Sequence, residues 1–464
     1  MTTALNPPGG AWAIRGQVVV ESDLLPDAAV VVEQDRIKFA GLVGEAPPEL
    51  AAVIESGRRW DGYVLPGLVD AHCHGGGGQS FPDASCASEA LVAVMEHRRH
   101  GTTSLVASLV TDAPEVLVRQ SALLASLCLS GELAGIHLEG PFLSPACCGA
   151  QDPAKMQAAS AELVSAVAEA AGGYFAVMTV APELPGIVSW RGGGLGAGAG
   201  GPGGGPGGGP GGGGGLGVGL GGGPTVVEAL AAAGAVPSFG HTDCTGSEMA
   251  RGVEAAVLAL SRAAAGDLVR VGSGPAVVGR AAGAPRSRSS RPTATHLFNG
   301  MPPIHHRRSG PALECLAQAA AGDMIVELIG DGTHLDPRTV TDAFAIADPD
   351  CVMLVTDAMA AAGMPDGSYQ LGPVAVTVLD GVARVAGSES IAGGTAHLID
   401  VVRTTAFESR VPLAVAVRAA SAMPAWVLGI SDEVGSLAPG KRADLVLADG
   451  GLVAREVYRA GVLV

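Results

Sequence analysis

Several residues in this chain have the type and spacing to hold a divalent cation and use it for hydrolysis. The stretch LPGLVDAHCHGGGG, residues 65–78, closes an apolar run with His72 and His74. Alternate residues of a strand share a face, so the two imidazoles project together while Cys73 faces away. The glycines beyond leave room for a substrate, and paired nitrogens suit a catalytic ion that keeps an open position. Glu139 in GIHLEGPF, His241 in SFGHTD and His296 in ATHLFNGMP each end a β-like run. A carboxylate at a buried strand end is costly unless it is paired or metal-bound. With His72 and His74 these residues form a five-member nitrogen and oxygen set drawn from four strands, with no thiolate required. His137 shares a face with Glu139, and a hydrogen-bonded core histidine is the competing reading for it. Asp357, in MLVTDAMAAAG, ends another apolar run. Metal-assisted hydrolysis needs a carboxylate that takes a proton from the attacking water and returns it to the leaving group. Asp357 is placed for that work; as a purely structural residue it would cap an Ala-rich helix following it.

These residues need a scaffold that brings strand ends together. From about Val64 to Met423, strand-like runs (TTSLVASLV, LAGIHLEG, YFAVMTVAP, MIVELIGDGTH and others) alternate with Ala-rich helical segments. Such alternation implies a parallel sheet with crossover helices. About eight units favour an α/β fold, a (β/α)8 TIM-like barrel, whose chemistry sits at the C-terminal strand ends. A doubly wound open sheet would instead gather its ligands at one crevice. The two chain ends carry short β-like runs broken by turn residues, as in AWAIRGQVVV and GKRADLVLAD. Together they suggest a small β-sandwich built from both termini. The expected division is residues 1–63 and 427–464 for the sandwich and 64–426 for the barrel. Two stretches depart from the pattern: a Gly-rich one at about 191–223 and a more basic one at about 262–291. Both read as expendable insertions, and neither has the GxxxxGK[ST] context of a phosphate loop.

Length and charge bound the rest. The 464 residues are 48% hydrophobic, enough for a large core, and the formal net charge is −17. That charge argues against a nucleic-acid or anionic-membrane surface. No uninterrupted apolar stretch approaches the ~20 residues needed to cross a bilayer, and the start lacks a basic segment followed by an apolar one. The eight cysteines lack CxxC spacing; unpaired thiols in a reducing cytoplasm are expected. An anionic substrate would need a local cationic cluster, and Arg307 and Arg308 beside His305 and His306 provide the densest one in any motif-bearing stretch. Arginine can grip a phosphate with two parallel bonds; a solvated basic loop is the plainer alternative.

The HxH after LPGLVDAH, the late TDA aspartate and the closing GSLAPGKRADLV together resemble the amidohydrolase superfamily. More narrowly, HLEGPF, FGHTD, THLFNGM, GDGTH and TDAMAAAGMPDGSYQLG resemble the N-acetylglucosamine-6-phosphate deacetylase family, over nearly the whole chain except the two insertions. The resemblance implies a distorted barrel with a small β-sandwich. It implies metal ligands at Glu139, His241 and His296, and a second metal position at His72 and His74 that shares Glu139. It places the acid/base at Asp357 and substrate contacts at Asn299, Gly300, Arg307 and His334. In such enzymes the arginine reaches the sugar phosphate from the neighbouring subunit, which implies a homodimer. The divalent metal would be Zn, with Fe, Mn, Co or Ni compatible, as one or two ions. The implied reaction converts N-acetyl-D-glucosamine 6-phosphate to D-glucosamine 6-phosphate and acetate.

The sequence also departs from the family. Gln151 stands where many relatives have a histidine that polarises the acetamide or holds substrate; glutamine can donate a hydrogen bond but carries no charge. Cys147 and Cys148 replace basic residues, and the vicinal pair reads as incidental. Only Lys38, Lys155 and Lys441 are lysines, and Lys155, the one in the barrel, lies in a polar stretch. A metal-bridging carboxylated lysine is therefore not expected, and Glu139 must bridge instead. The glycines of residues 388–400, SESIAGGTAHLID, suit a hinge that closes over substrate. The rival readings are another amidohydrolase, such as a different N-acyl amino-sugar deacetylase or an adenine-deaminase-like enzyme, and a catalytically silent barrel scaffold.

Overall fold

The apolar runs form one parallel sheet. In the computed structural model, which describes residues 10–189, 223–268 and 288–464, the strands are β1 (Leu68–Cys73), β2 (Thr102–Leu109), β3 (Gly135–Glu139), β4 (Phe175–Val180), β5 (Val236–Phe239), β6 (Thr293–Ala294), β7 (Ile325–Leu328) and β8 (Val352–Leu354). Each pairs in parallel with its sequence neighbour, so the spatial order is the chain order. All eight are buried along their whole length, as expected of strands covered by helices on one side and packed into a barrel lumen on the other. Helices such as Pro114–Leu129, Gly246–Ala265 and Pro311–Ala321 form the outer ring. Their starts are set locally. Thr225 and Thr245 form capping boxes with Glu228 and Glu248, which satisfies backbone N–H groups that have no helical partner.

The first and last strands meet at a seam held by side chains as much as by backbone. Asp70 accepts from the Thr356 hydroxyl at 2.6 Å and from the backbone N–H of Thr356 at 3.3 Å. Asp357 N donates to His72 O at 2.9 Å, and His74 N to Ala358 O at 2.7 Å. The barrel is closed at the same residues that carry the candidate chemistry. The Ala-rich stretch after Asp357 forms no helix. Its carbonyls at Ala358, Ala360 and Ala362 accept from the N–H groups of His74, Gly75, Gly77 and Gly78, so pairing across the seam overrides the local propensity of alanine.

The α/β barrel with a second β unit expected from the sequence is present. Strands Ala11–Val20, Asp23–Glu33, Arg36–Leu42 and Arg58–Pro66 join Leu445–Ala448, Ala454–Arg459 and Val462–Leu463 in a seven-stranded sheet. The two ends of the chain meet where Arg58–Pro66 pairs antiparallel with Leu445–Ala448, and Arg58–Pro66 leads directly into β1. A separate three-stranded sheet, Gly367–Leu371, Val374–Leu379 and Val382–Val385, packs on Val110, Met359 and Ala360 above the barrel. The expected Gly-rich insertion lies outside the described residues except for Gly223. Of the second insertion, the described parts are the end of helix Gly246–Ala265, the turn after it and the return from Arg288. No helix among the described residues is long and apolar enough to cross a membrane.

Candidate metal-dependent active site

Glu139, the last residue of β3, is the hub. Its Oε1 lies 2.9 Å from His241 Nε2 and 2.7 Å from His296 Nε2, while its Oε2 lies 3.1 Å from His74 Nε2 and 3.9 Å from His72 Nε2. One carboxylate oxygen thus faces each histidine pair. Asp357, just past β8, places Oδ1 3.2 Å from both His72 Nε2 and His74 Nε2. The ligand atoms form two convergent groups: Glu139, His241 and His296 in one, and His72, His74, Glu139 and Asp357 in the other. All six residues are buried.

This donor set fits divalent cations. Imidazole nitrogens and carboxylate oxygens, with no thiolate, form each group, and the ring nitrogens aim inward from the ends of β1, β5 and β6. The local backbone is unusual at three of these residues: His241, His296 and Asp357 have φ of +47°, +30° and +48°. Left-handed backbone at non-glycine residues is costly and clusters at functional sites.

The electrostatics agree with a cation-binding centre. Burial opposes a charge on His72, but Asp357, Glu327 and Glu139 outweigh it and raise its pKa to about 10. His74 and His241 are also raised against the effect of burial, His74 by Asp357 and Glu139 and His241 chiefly by Glu139. Glu139 is held well below the usual carboxylate range because His241, His296 and His74 outweigh its burial. Asp357 is lowered, with burial opposed by His72 and His74. Positive charge is stabilised at both groups, whether carried by protons or by metal.

A cleft of about 250 Å³ opens over the centre. Asn299, Gly300, His334 and Gln151 line it, along with Ser390 and Ile391. Asn299 Nδ2 donates to His296 O at 3.1 Å. His334 is fixed by Asp331, whose Oδ2 lies 2.8 Å from His334 Nδ1 and whose Oδ1 accepts from His334 N. Both ends of the Gln151 amide are engaged: Nε2 donates to Glu139 Oε2 at 2.7 Å, and Oε1 accepts from Thr111 N at 2.8 Å. Arg307 and its neighbours His305, His306 and Arg308 are exposed, and Arg307 is not among the residues lining the cleft. The 388–400 segment contributes Ser390, Ile391 and Gly393 to the wall, tied by the bond from Met359 N to Gly394 O.

The residues competing for a role resolve on geometry. His137 spends both ring nitrogens on hydroxyls, Nδ1 with Ser108 at 2.9 Å and Nε2 with Thr179 at 2.9 Å. It is a satisfied core histidine. Cys73 lies against His97, 3.3 Å from Nε2. Lys155 pairs with Asp112 at 3.0 Å, in neither ligand group. Sequence reasoning missed Glu327, Asp331 and Thr111. Glu327 had a readable signal, being a lone acid within the apolar run MIVELIG.

Barrel and site together define a hydrolase of the amidohydrolase type. The amidohydrolase family profile matches residues 63–190 and 294–460, and the chain belongs to this metal-dependent family. Within it, the chain is similar to N-acetylglucosamine-6-phosphate deacetylase of Bacillus subtilis, 28% identical over 448 residues, which span 92% of this chain and 93% of that one. It is also similar to the solved structure of a variant N-acetyl-D-glucosamine-6-phosphate deacetylase from Mycobacterium smegmatis in complex with N-acetyl-D-glucosamine-6-phosphate. That likeness has a TM-score of 0.77 and 32% identity, covering 98% of this chain and 99% of the other. N-acetylgalactosamine-6-phosphate deacetylase of Escherichia coli O157:H7 is 39% identical over 168 residues, 36% of this chain and 43% of that one.

Proposed function

We propose that this chain hydrolyses the acetamide of N-acetyl-D-glucosamine 6-phosphate, releasing D-glucosamine 6-phosphate and acetate. The observation that carries the reading is the division of Glu139 between two histidine pairs, beside Asp357 in a cleft. Glu139, His241 and His296 would hold one cation; His72, His74, the other oxygen of Glu139 and Asp357 would hold a second. Zinc suits these donors, and Fe, Mn, Co or Ni are compatible. A bound divalent cation supplies a more acidic water and a polarised carbonyl.

The chain's own residues do the rest. Asp357, whose lowered pKa keeps it ionised at neutral pH, accepts the proton of the attacking water and delivers it to the departing amine. His334, oriented by Asp331, and the Asn299–Gly300 turn hold the sugar and set the acetamide against the carboxylate. Gln151 holds Glu139 Oε2 in place and presents its amide edge to the cleft. Arg307, exposed and away from the cleft of its own subunit, would reach the phosphate of a neighbouring site in a cytoplasmic homodimer. The 388–400 segment closes over bound substrate, and the barrel of residues 64–426 acts as the catalytic unit.

The likeness to a galactosamine-type deacetylase favours a second reading, in which the C4 epimer is the better substrate. Acetate release from both 6-phosphates and from unphosphorylated N-acetylglucosamine, with and without a chelator, tests the proposal. The expected result is chelator-sensitive turnover of the gluco 6-phosphate at the highest kcat/KM. Preference for the galacto epimer would move the assignment to the second reading. Turnover of neither would end it.

A further inference from the structure

We propose that Glu327 is a positioning residue: it fixes the tautomer and orientation of His72 and so controls whether the His72/His74 side of the centre holds a cation. This rests on the reading of Glu139 as a ligand shared between two positions. Glu327 lies within β7, is 2% exposed, and belongs to neither convergent ligand group. A carboxylate in a barrel lumen is costly without partners. Among the described residues it has two, both at Oε2: His72 Nδ1 at 3.1 Å and the backbone N–H of His296 at 3.3 Å.

A carboxylate oxygen only accepts, so Nδ1 of His72 carries the hydrogen. Its Nε2 is then the nitrogen left to bind a cation, and it points at the second group, 3.2 Å from Asp357 Oδ1 and 3.2 Å from His74 Nε2. The other three histidines are backed differently. His241 Nδ1 donates to Cys147 O at 2.8 Å, while His74 Nδ1 and His296 Nδ1 are buried with no hydrogen-bond partner among the described residues. Among the described residues, His72 alone of the four has a carboxylate behind it. A carboxylate behind a ligating imidazole fixes its tautomer and raises its basicity, and losing one typically costs about 10–100-fold in metal affinity. The contact with His296 N offers a competing route, through the first position, and the two routes make different predictions.

The test uses the full chain, stripped of metal and titrated with Mn²⁺. Bound ions are counted by equilibrium dialysis and spin-coupled pairs are detected by electron paramagnetic resonance. Wild type should take two ions. Glu327→Gln should weaken the second by about 10–100-fold and leave the first unchanged. His72→Ala should lose the second ion, and adding Glu327→Gln to it should change nothing further. The proposal is overturned by any of four results: a second ion as tight in Glu327→Gln as in wild type, a weakened first ion, additive loss in the double variant, or a wild type that takes a single ion at saturating Mn²⁺. In that last case chelator-sensitive deacetylation would still stand, so the two readings fail separately. A readout independent of folding in the variant is the histidine ¹H–¹⁵N spectrum of the zinc-loaded wild type. A hydrogen-bonded Nδ1–H that disappears in His72→Ala is expected, and its absence overturns the proposal.

Discussion

Gly300 stands directly against His241: a Cβ at Gly300 would lie 2.8 Å from Nδ1 of that ring, and the backbone there has φ of +60°. Nδ1 is the atom that donates to Cys147 O, so the glycine leaves room for the bond that orients the ligand. Gly300→Ala should therefore act on the His241 side of the centre. Its backbone strain is worth about 1 kcal/mol or more, and the ring must also shift. The expected outcome is roughly tenfold weaker binding of the ion held by Glu139, His241 and His296, in the range found for disturbed outer-shell partners, with turnover partly recovered in excess metal. Metal titration of activity checks this; unchanged metal dependence would count against His241 as a ligand.

Asp357→Asn removes the proton acceptor while keeping the side chain's shape. Acid–base catalysis by one group is commonly worth about 10²–10⁴-fold, so kcat should fall by that order. Asp357 Oδ1 also faces His72 and His74, so the variant should bind the second ion less tightly and hold the first at Glu139, His241 and His296. Elemental analysis beside single-turnover kinetics measures both. Near-wild-type turnover would remove Asp357 from the mechanism.

The pH dependence of the metal-free protein follows from His72. Its pKa in the fold is raised from the ordinary 6.5 to about 10. A group with a raised folded-state value contributes stability that is fully present below the unfolded value and is lost as pH rises through the folded one. The metal-free protein should accordingly lose stability between about pH 6.5 and 10. Metal must displace those protons, so the rise in Tm on adding metal should be larger at pH 9 than at pH 6. Thermal melts of the stripped and reloaded protein at the two values decide it, and an equal or smaller rise at pH 9 contradicts the argument.

How far the sequence could be read depends on whether a residue's partners lie nearby along the chain. His72 and His74 were legible because a strand's period of two is a local rule, and Glu139 because a charged residue ending an apolar run needs a reason. Their convergence followed from the barrel, which brings all strand ends to one face. The role of Glu327 was not legible: its partners lie on β1 and just past the neighbouring β6, and only the closing of the barrel brings all three together. Gln151 read as a candidate substrate contact because it stands where many relatives have a histidine. It lines the cleft, but its amide is bound at both ends, and the Thr111 N–H that holds it comes from 40 residues earlier. The stretch after Asp357 looked helical by composition, and the seam with residues 74–78 decided otherwise.

Gln151 sets up a further expectation. Its Nε2 donates to Glu139 Oε2, the oxygen facing His74. Gln151→Ala leaves that buried oxygen short of a donor, a loss on the order of 1–3 kcal/mol. Both kcat and affinity for the second ion should fall. Gln151→His, which can also donate, should recover more of each than Gln151→Ala does. Steady-state kinetics across a metal series compares them, and equal behaviour of the two variants would mean that the hydrogen bond is not what matters.

Arg307 gives the sharpest test of the dimer. The residue is exposed and outside its own cleft, a placement that suits a contact with the substrate phosphate of a second subunit. Arg307→Ala should raise KM for the 6-phosphate by about tenfold or more, since charged hydrogen bonds are worth roughly 1.5–3 kcal/mol. KM for the unphosphorylated sugar should hardly change. Mixing Arg307→Ala with Asp357→Asn subunits then separates the two geometries. If the arginine acts across the interface, each hybrid dimer contains one site with a native Asp357 and a partner bearing a native Arg307. In a symmetric dimer with random exchange, about a quarter of wild-type activity should return at low substrate. If Arg307 acts within its own subunit, no hybrid site is whole, and the mixture stays as inactive as its parts.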